Sequence, residues 1–208
     1  MKKRILPATI GFALVFLLIL SFAKTVSAAD PATVTIDAPD HVDLGTLFEV
    51  DINITDVIGL YGWELKLYFE NDLLSLTDWD TTGHLLETGG GTFQVDKSDN
   101  DYNATHGVAW IADTLLGASN GVNGTGSLVT LTFNATGEGA ANLIFQDLLG
   151  SMEGKNIKLG DKNADQIENI AFDDIVEIPE FTSILLLITM LIASSATVLS
   201  IKKFKKVK

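Results

Sequence analysis

The sequence predicts an all-β fold, an antiparallel β-sandwich, between two apolar terminal segments. Polar and apolar residues alternate with a period of two through the middle of the chain, as in a sheet with one buried and one solvated face. Turn signals rich in Gly and Asn separate the alternating segments. No segment between the two ends has the apolar spacing of an amphipathic helix. Many short strands joined by such turns are typical of a β-sandwich.

The N-terminal residues 1–29 predict a helical secretory signal peptide. A basic start, Lys2-Lys3-Arg4, precedes an apolar run over residues 5–22, and small residues follow at 26–29. Cleavage after Ala28 or Ala29 fits the small-residue rule. An uncleaved anchor is the alternative, and the short apolar run with its small-residue site favours cleavage.

Residues 30–178 predict the sandwich itself. Three segments alternate clearly, at 48–55, 63–70 and 129–134, and their apolar positions are expected to face the core. The shorter strand candidates are 33–36, 73–76, 92–95, 107–112, 141–146 and 174–178. Trp63 and Trp110 lie on strand patterns and are expected in the core.

Residues 181–201 predict one transmembrane helix. They carry no charge, and about 20 apolar residues suffice to span a bilayer. Five lysines follow in the tail 202–208, which the positive-inside rule places in the cytoplasm. Residues 30–180 are therefore expected outside the cell. A buried core helix is the alternative, and the lysine block argues against it.

The charge of the chain is concentrated in the predicted outer domain. The two terminal segments hold nine of the 14 basic residues, which leaves 5 basic against 27 acidic residues, a formal charge of −22. Such acidity argues against nucleic acid as a partner and disfavours anionic ligands. The absence of Cys excludes disulfides and thiolate metal sites, and 3 His make a His-rich metal centre a poor interpretation.

Several segments occur together in an order and spacing that resemble the cohesin family. They are 45–54 (GTLFEVDINI), 60–74 (LYGWELKLYFENDLL), 83–86 (GHLL), 107–111 (GVAWI), 124–133 (GTGSLVTLTF) and 137–143 (GEGAANL). The resemblance covers roughly residues 33–178. The chain departs from the family at Asn71-Asp72, which stands in a turn where a Tyr-Asp-Pro sequence is common.

This resemblance implies a jelly-roll sandwich of about nine strands. It also implies a non-catalytic module that docks dockerin partners in polysaccharide-degrading complexes. The wider superfamily includes carbohydrate-binding modules, so a polysaccharide ligand stays open. No individual docking residue carries over, because the docking face has no motif that can be matched in this sequence.

The C-terminal segment resembles a second known pattern. Pro179-Glu180-Phe181, followed by a spanning helix and a lysine cluster, is similar to the archaeal PEF-CTERM sorting signal. The resemblance implies an archaeal surface protein whose helix (179–201 with the motif) is removed by an archaeosortase and replaced by a lipid. An ordinary stop-transfer anchor is the alternative.

Four Asn-x-Thr sequons are candidate N-glycosylation sites, at Asn53, Asn103, Asn123 and Asn134. Asn123 is the best candidate because it lies in a predicted turn, and Asn103 in a polar loop is next. Asn53 lies in the middle of a predicted strand, where pairing would hinder modification.

Two acidic loops are candidate calcium sites. Oxygen ligands alternate at Asp99 and Asp101 in one loop and at Asp161, Asn163 and Asp165 in the other. Calcium takes six to eight oxygen ligands, and alternation turns carboxylates to one side. Neither loop has the EF-hand pattern, and a solvated acidic loop without a metal is the alternative interpretation.

Catalytic signatures are missing from the sequence, which predicts that the chain is not an enzyme and needs no cofactor. Adjacent acids such as Asp173 and Asp174 point to opposite faces of a strand, so they form a poor acid–base pair. No Gly-x-Ser-x-Gly elbow is present. Trp79, between two aspartates, is a candidate for stacking on a sugar ring, or else a residue at the rim of the core.

Taken together, these patterns predict a membrane-tethered extracellular module that binds a dockerin-like protein. The alternatives are a carbohydrate-binding module and a structural protein of the cell envelope.

Overall fold

The structure is a computed structural model that describes residues 30–117, 120–145 and 157–179. The predicted signal peptide (1–29), Glu180, Phe181, the predicted transmembrane helix and the lysine tail lie outside these residues. Within the described ranges, no helix is long and apolar enough to cross a membrane.

Twelve strands and one short 3-10 helix make up the described part of the chain. In chain order the strands are β1 (Ala32–Asp37), β2 (Leu47–Leu60), β3 (Gly62–Glu70), β4 (Leu74–Asp80), β5 (Thr92–Asp96), β6 (His106–Leu115), β7 (Val122–Ala135), β8 (Gly139–Ile144), β9 (Ile157–Gly160), β10 (Gln166–Ile167), β11 (Asn169–Ala171) and β12 (Asp174–Ile178). The 3-10 helix, Leu85–Gly89, lies between β4 and β5.

The strands form the two sheets of a sandwich. Sheet 1 has the order β11-β1-β2-β7-β4. Sheet 2 has the order β10-β9-β3-β6-β5, and β8 pairs with the end of β3 and with β12. Every pairing is antiparallel except β1 with β11, which is parallel. The all-β sandwich class is thereby confirmed.

The expected strand count is too low, since about nine strands were predicted. All nine predicted segments contain a strand, but β9, β10 and β11 were not predicted. These three strands have only two to four residues each. Alternation is undetectable in so short a segment, because a period of two needs at least four to eight residues to be recognised.

The core lies between the sheets and follows the predicted alternation. The inward residues of β2, β3 and β7 are all buried: Phe48, Val50, Ile52, Ile54, Trp63, Leu65, Leu67, Phe69, Val129, Leu131 and Phe133. Phe69 of sheet 2 and Phe133 of sheet 1 meet edge-to-face, with ring centroids 5.0 Å apart. A Cβ atom at Gly107 would lie 2.3 Å from the Phe69 ring, so this position of β6 requires glycine. Because the inner faces are filled by apolar side chains, binding chemistry must come from the outer faces and the loops.

Candidate functional site

The outer faces of the two sheets differ in chemistry. The outer face of sheet 1 carries mainly hydroxyl, amide and carboxylate side chains, with Leu47, Ile58 and Ile170 as exposed apolar residues on β2 and β11. The polar side chains include Thr33, Thr35, Glu49, Asp51, Asn53, Thr55, Thr130, Thr132 and Asn134. The outer face of sheet 2 combines apolar, aromatic and basic side chains: Phe93, Val95, Lys97 and Lys158 are exposed, and Trp110 and Lys66 are half-buried. The second surface, called the lysine face below, is the candidate functional site.

Strand register places these side chains in parallel rows across sheet 2. Val95 of β5 stands opposite Ala112 of β6, which faces Glu64 of β3, which faces Lys158 of β9. In the neighbouring row Trp110 faces Lys66. Adjacent rows are about 7 Å apart, because every second residue of a strand points to the same side.

Phe93 and Val95 supply the apolar part of the lysine face. Phe93 is 57% exposed and Val95 is 38% exposed. Phe93 stands opposite Thr114, which faces Gly62 on β3. The exposed Phe93 ring therefore stands beside the small residues Thr114 and Gly62.

Two lysines, Lys66 and Lys97, contact the indole ring of Trp110. The Nζ atom of Lys66 lies 3.8 Å from the ring centroid, and that of Lys97 lies 4.9 Å from it. Both ammonium groups are attracted to the negative face of the indole. The expectation that Trp110 belongs to the core is wrong, because its neighbours Ala109 and Ile111 face inward and Trp110 therefore points outward. Trp63 is buried in the core, as expected.

One end of the lysine face is closed by aromatic residues. Tyr68 points outward from β3 but is only 4% exposed. Tyr102, from the loop between β5 and β6, packs against it with ring centroids 5.6 Å apart. Tyr102 is 49% exposed and so extends the aromatic surface at this end.

Trp79, the predicted glycan contact, lies away from the lysine face. It is half-buried, packs against the core and donates a hydrogen bond from Nε1 to Oδ2 of Asp96 at 3.0 Å. Partial burial opposes ionisation of Asp96, but hydrogen bonds from Ser98 and Trp79 lower the pKa of its carboxyl. The adjacent cleft has a volume of about 360 Å³. Sugar binding at Trp79 stays a prediction.

In each predicted calcium loop the first carboxylate, Asp99 or Asp161, accepts hydrogen bonds from its own loop. Oδ1 of Asp161 accepts hydrogen bonds from the backbone N–H groups of Asn163 and Asp165, and the bond from Asp165 is the main cause that lowers the pKa of Asp161. Asp99 Oδ1 accepts the backbone N–H of Asp101 at 2.9 Å. No group of three or more His, Asp or Glu side chains that could hold a metal occurs in the described residues. Calcium binding stays a prediction.

The four sequons occupy two kinds of position. Asn103 and Asn123 are exposed, in a loop and at the start of β7. Asn53 and Asn134 are half-buried within paired strands of sheet 1. Oδ1 of Asn123 accepts the backbone N–H of Gly59 at 2.6 Å. Glycosylation stays a prediction at each site, and of the sorting motif only Pro179 belongs to the described residues.

Fold and surface together define a β-sandwich module that carries apolar, aromatic and basic side chains on the outer face of one sheet. The Cohesin domain model matches residues 32–175, and the chain therefore belongs to the cohesin domain family. Cohesin domains are non-catalytic docking modules, which confirms the expectation that this chain is not an enzyme. No curated protein matches the chain in sequence.

Solved structures of cohesin modules share the fold. A type II cohesin domain from the cellulosome of Acetivibrio cellulolyticus is 15% identical, with a TM-score of 0.57 over 70% of this chain and 95% of that one. A cohesin of scaffoldin B from the same organism, in complex with a dockerin, is 13% identical, with a TM-score of 0.52 over 71% and 99%. A type I cohesin–dockerin complex from Clostridium thermocellum is 13% identical, with a TM-score of 0.51 over 75% and 99%.

Proposed function

We propose that the chain docks a dockerin-type protein partner through the lysine face of sheet 2, as part of an extracellular assembly. Family membership supports docking as the activity, and cohesins of the same fold have been solved with dockerins bound. The carrying observation is the exposure of Phe93 and Val95 beside Trp110 on one sheet face. Exposed apolar and aromatic residues grouped on one surface mark a site of protein interaction.

Sheet 1 is the weaker candidate for docking. Along β1, β2 and β7 its outer face carries mainly Thr, Asn and acidic side chains, and its exposed apolar residues Leu47 and Ile58 stand near opposite ends of β2 rather than beside an aromatic ring. Interfaces obtain most of their binding free energy from a few buried aromatic or Arg anchors, which this face lacks among the described residues.

The C-terminal segment supports tethering of this module at the outer face of the membrane. The apolar run 181–201 and its lysine tail have the length and charge of an anchor. Pro179-Glu180-Phe181 supports processing by an archaeosortase in an archaeal host. Pulse-labelling followed by intact-mass measurement of the surface protein tests this: a product that lacks the lysine tail is expected, and a retained tail contradicts processing.

Dockerin binding is tested with the full chain held in lipid nanodiscs and a panel of purified dockerin modules, by interferometry. Phe93→Ala is expected to weaken binding by about 2 kcal/mol, the usual size of an interface hot spot. Phe172→Ala is the matched control, because Phe172 is 54% exposed but lies between β11 and β12, away from the lysine face. The proposal is contradicted if Phe93→Ala and Phe172→Ala weaken dockerin binding equally, or if no dockerin binds.

Carbohydrate binding at Trp79 is the second candidate, favoured by the cleft beside this ring. Retention of the chain on insoluble polysaccharide, lost in Trp79→Ala and kept in Phe93→Ala, is the result expected from it. Retention unchanged in Trp79→Ala contradicts a glycan site at this residue.

A further inference from the structure

The lysines of the predicted outer domain are distributed unevenly. This part of the sequence holds five lysines and no arginine, against 27 acidic residues. Four of the five are described by the structure, and three of these four, Lys66, Lys97 and Lys158, lie on or beside the outer face of sheet 2. The fourth, Lys162, lies in the loop after β9 and donates to Asn120. This acidic part of the chain thus presents three of its four described lysines on one face.

The two central lysines have no acidic partner within the described part of the chain. The one ion pair found there joins Lys158 to Oε1 of Glu64 at 3.3 Å. Lys66 and Lys97 instead share the Trp110 ring. Two like charges are therefore held near each other, although most of the remaining ionisable groups of this domain are carboxylates. Charges left without a partner in the free protein are available to a partner that binds.

The indole also fixes where these charges lie. Cation–π contact restrains two long side chains that would otherwise lose rotamer freedom on binding. Lys97 continues β5 beyond Val95, so the ammonium groups border the exposed apolar residues. The surface consequently combines an apolar strip with a preordered basic pair.

We propose that the partner of the lysine face is a protein that presents acidic side chains beside an apolar one, the acids to Lys66 and Lys97 and the apolar group to Phe93 and Val95. This inference rests on the proposed docking function and specifies the chemistry of its partner. The formal charge of −22 over residues 30–180 disfavours anionic ligands in general, but a contact is governed by charges within about 8–10 Å at physiological ionic strength. Local complementarity at this face therefore decides which partner is accepted.

The test compares lysines on and off the face in the full chain in nanodiscs. Lys66→Met and Lys97→Met remove the charge while keeping an unbranched stem against Trp110, and Lys162→Met changes the net charge equally elsewhere. For any dockerin that binds the native chain, we expect each of the first two variants to weaken binding about tenfold and the control less than about twofold. Unfolding temperatures of the three variants exclude loss of fold as the cause.

The outcomes separate this inference from the docking proposal. If a dockerin binds and the three variants behave alike, the acidic-partner inference is overturned while docking stands. If no dockerin binds, a synthetic Glu/Leu peptide and its Gln/Leu counterpart are titrated instead. Binding of the Glu peptide alone, lost in Lys66→Met, supports the inference and rejects the dockerin. Binding of neither peptide, or retention of polygalacturonate only, overturns both.

Discussion

At the scale of single residues, Asp113 places a carboxyl group inside the sandwich. Alternation in β6 turns its side chain inward with that of Ile111, and Asp113 is only 2% exposed. Neither of its oxygens completes a hydrogen bond. Burial raises the pKa of Asp113 and outweighs the opposing effect of Thr114, Thr92 and Gln94 nearby. The folded protein therefore binds a proton at this group more readily than the unfolded chain.

This shift gives stability a defined pH dependence. The pKa of Asp113 is higher in the folded protein than in the unfolded chain, so proton binding at this group adds to the free energy of unfolding. This contribution is fully present below the unfolded pKa of about 3.9 and is lost as pH rises through the folded pKa. Asp113→Asn should raise the free energy of unfolding by about 1–3 kcal/mol at pH 7.5, because the amide avoids burial of an ionised carboxylate, and by much less at pH 3.5, where the carboxyl of the folded protein is protonated.

Urea denaturation of native and variant chains at the two pH values measures this difference. Asp72→Asn, at an exposed turn, is the matched control and should change little at either pH. If Asp113→Asn raises the free energy of unfolding equally at pH 3.5 and pH 7.5, ionisation of Asp113 is not the cause of the increase.

At the scale of elements, the loop between β5 and β6 forms hydrogen bonds with the backbone at the free edge of β4. Asn100 accepts the backbone N–H of Leu76 with Oδ1 at 2.8 Å and donates from Nδ2 to the Leu76 carbonyl at 3.0 Å. One amide side chain thus imitates a neighbouring strand at an edge that would otherwise leave backbone groups unpaired. The contact also connects the edge of sheet 1 to a loop of sheet 2, three residues beyond Lys97 of the lysine face.

Removal of this side chain is expected to loosen β4 locally. Asn100→Ala should cost about 1–2 kcal/mol, since two hydrogen bonds each contribute about 0.5–1.5 kcal/mol. Hydrogen exchange followed by NMR should show faster exchange of the Leu76 amide, with protection of the Leu131 amide in β7 retained. Unchanged exchange at Leu76 would contradict the role assigned to Asn100.

At the scale of the whole molecule, the two faces of the sandwich are suited to different surroundings. Asn53, Asn123 and Asn134 lie on strands of sheet 1, and Asn103 lies in a loop, so none of the four sequons lies on a described strand of sheet 2. Glycans on Asn53 and Asn134 would stand on sheet 1, whereas Phe93 stands on sheet 2. The arrangement is compatible with one face that is modified and one that docks.

Exposure predicts which sequons are modified. Glycopeptide mass spectrometry of the chain from its native host should find higher occupancy at Asn103 and Asn123, which are exposed, than at Asn53 and Asn134, which are half-buried in paired strands. Equal occupancy at all four sites would contradict this expectation and indicate modification before folding.

The sequence was a good guide to the fold and a partial guide to the surface. Alternation correctly assigned the buried positions of β2, β3 and β7, because burial in a strand depends on the parity of neighbouring residues. The same rule would have placed Trp110 outside, since Ala109 and Ile111 are the inward residues of β6. The prediction failed there because the aromatic type was given more weight than its position.

The sequence by itself determined the sandwich class, the inward residues of the long strands and the acidity of residues 30–180. Local patterns and composition carry that information. Only the tertiary structure decided that Lys66, Lys97 and Trp110 meet, and that Asp113 is left without a hydrogen bond. Those contacts depend on which distant strands become neighbours and in what register. Strand pairing across tens of residues leaves no local signal in a single sequence.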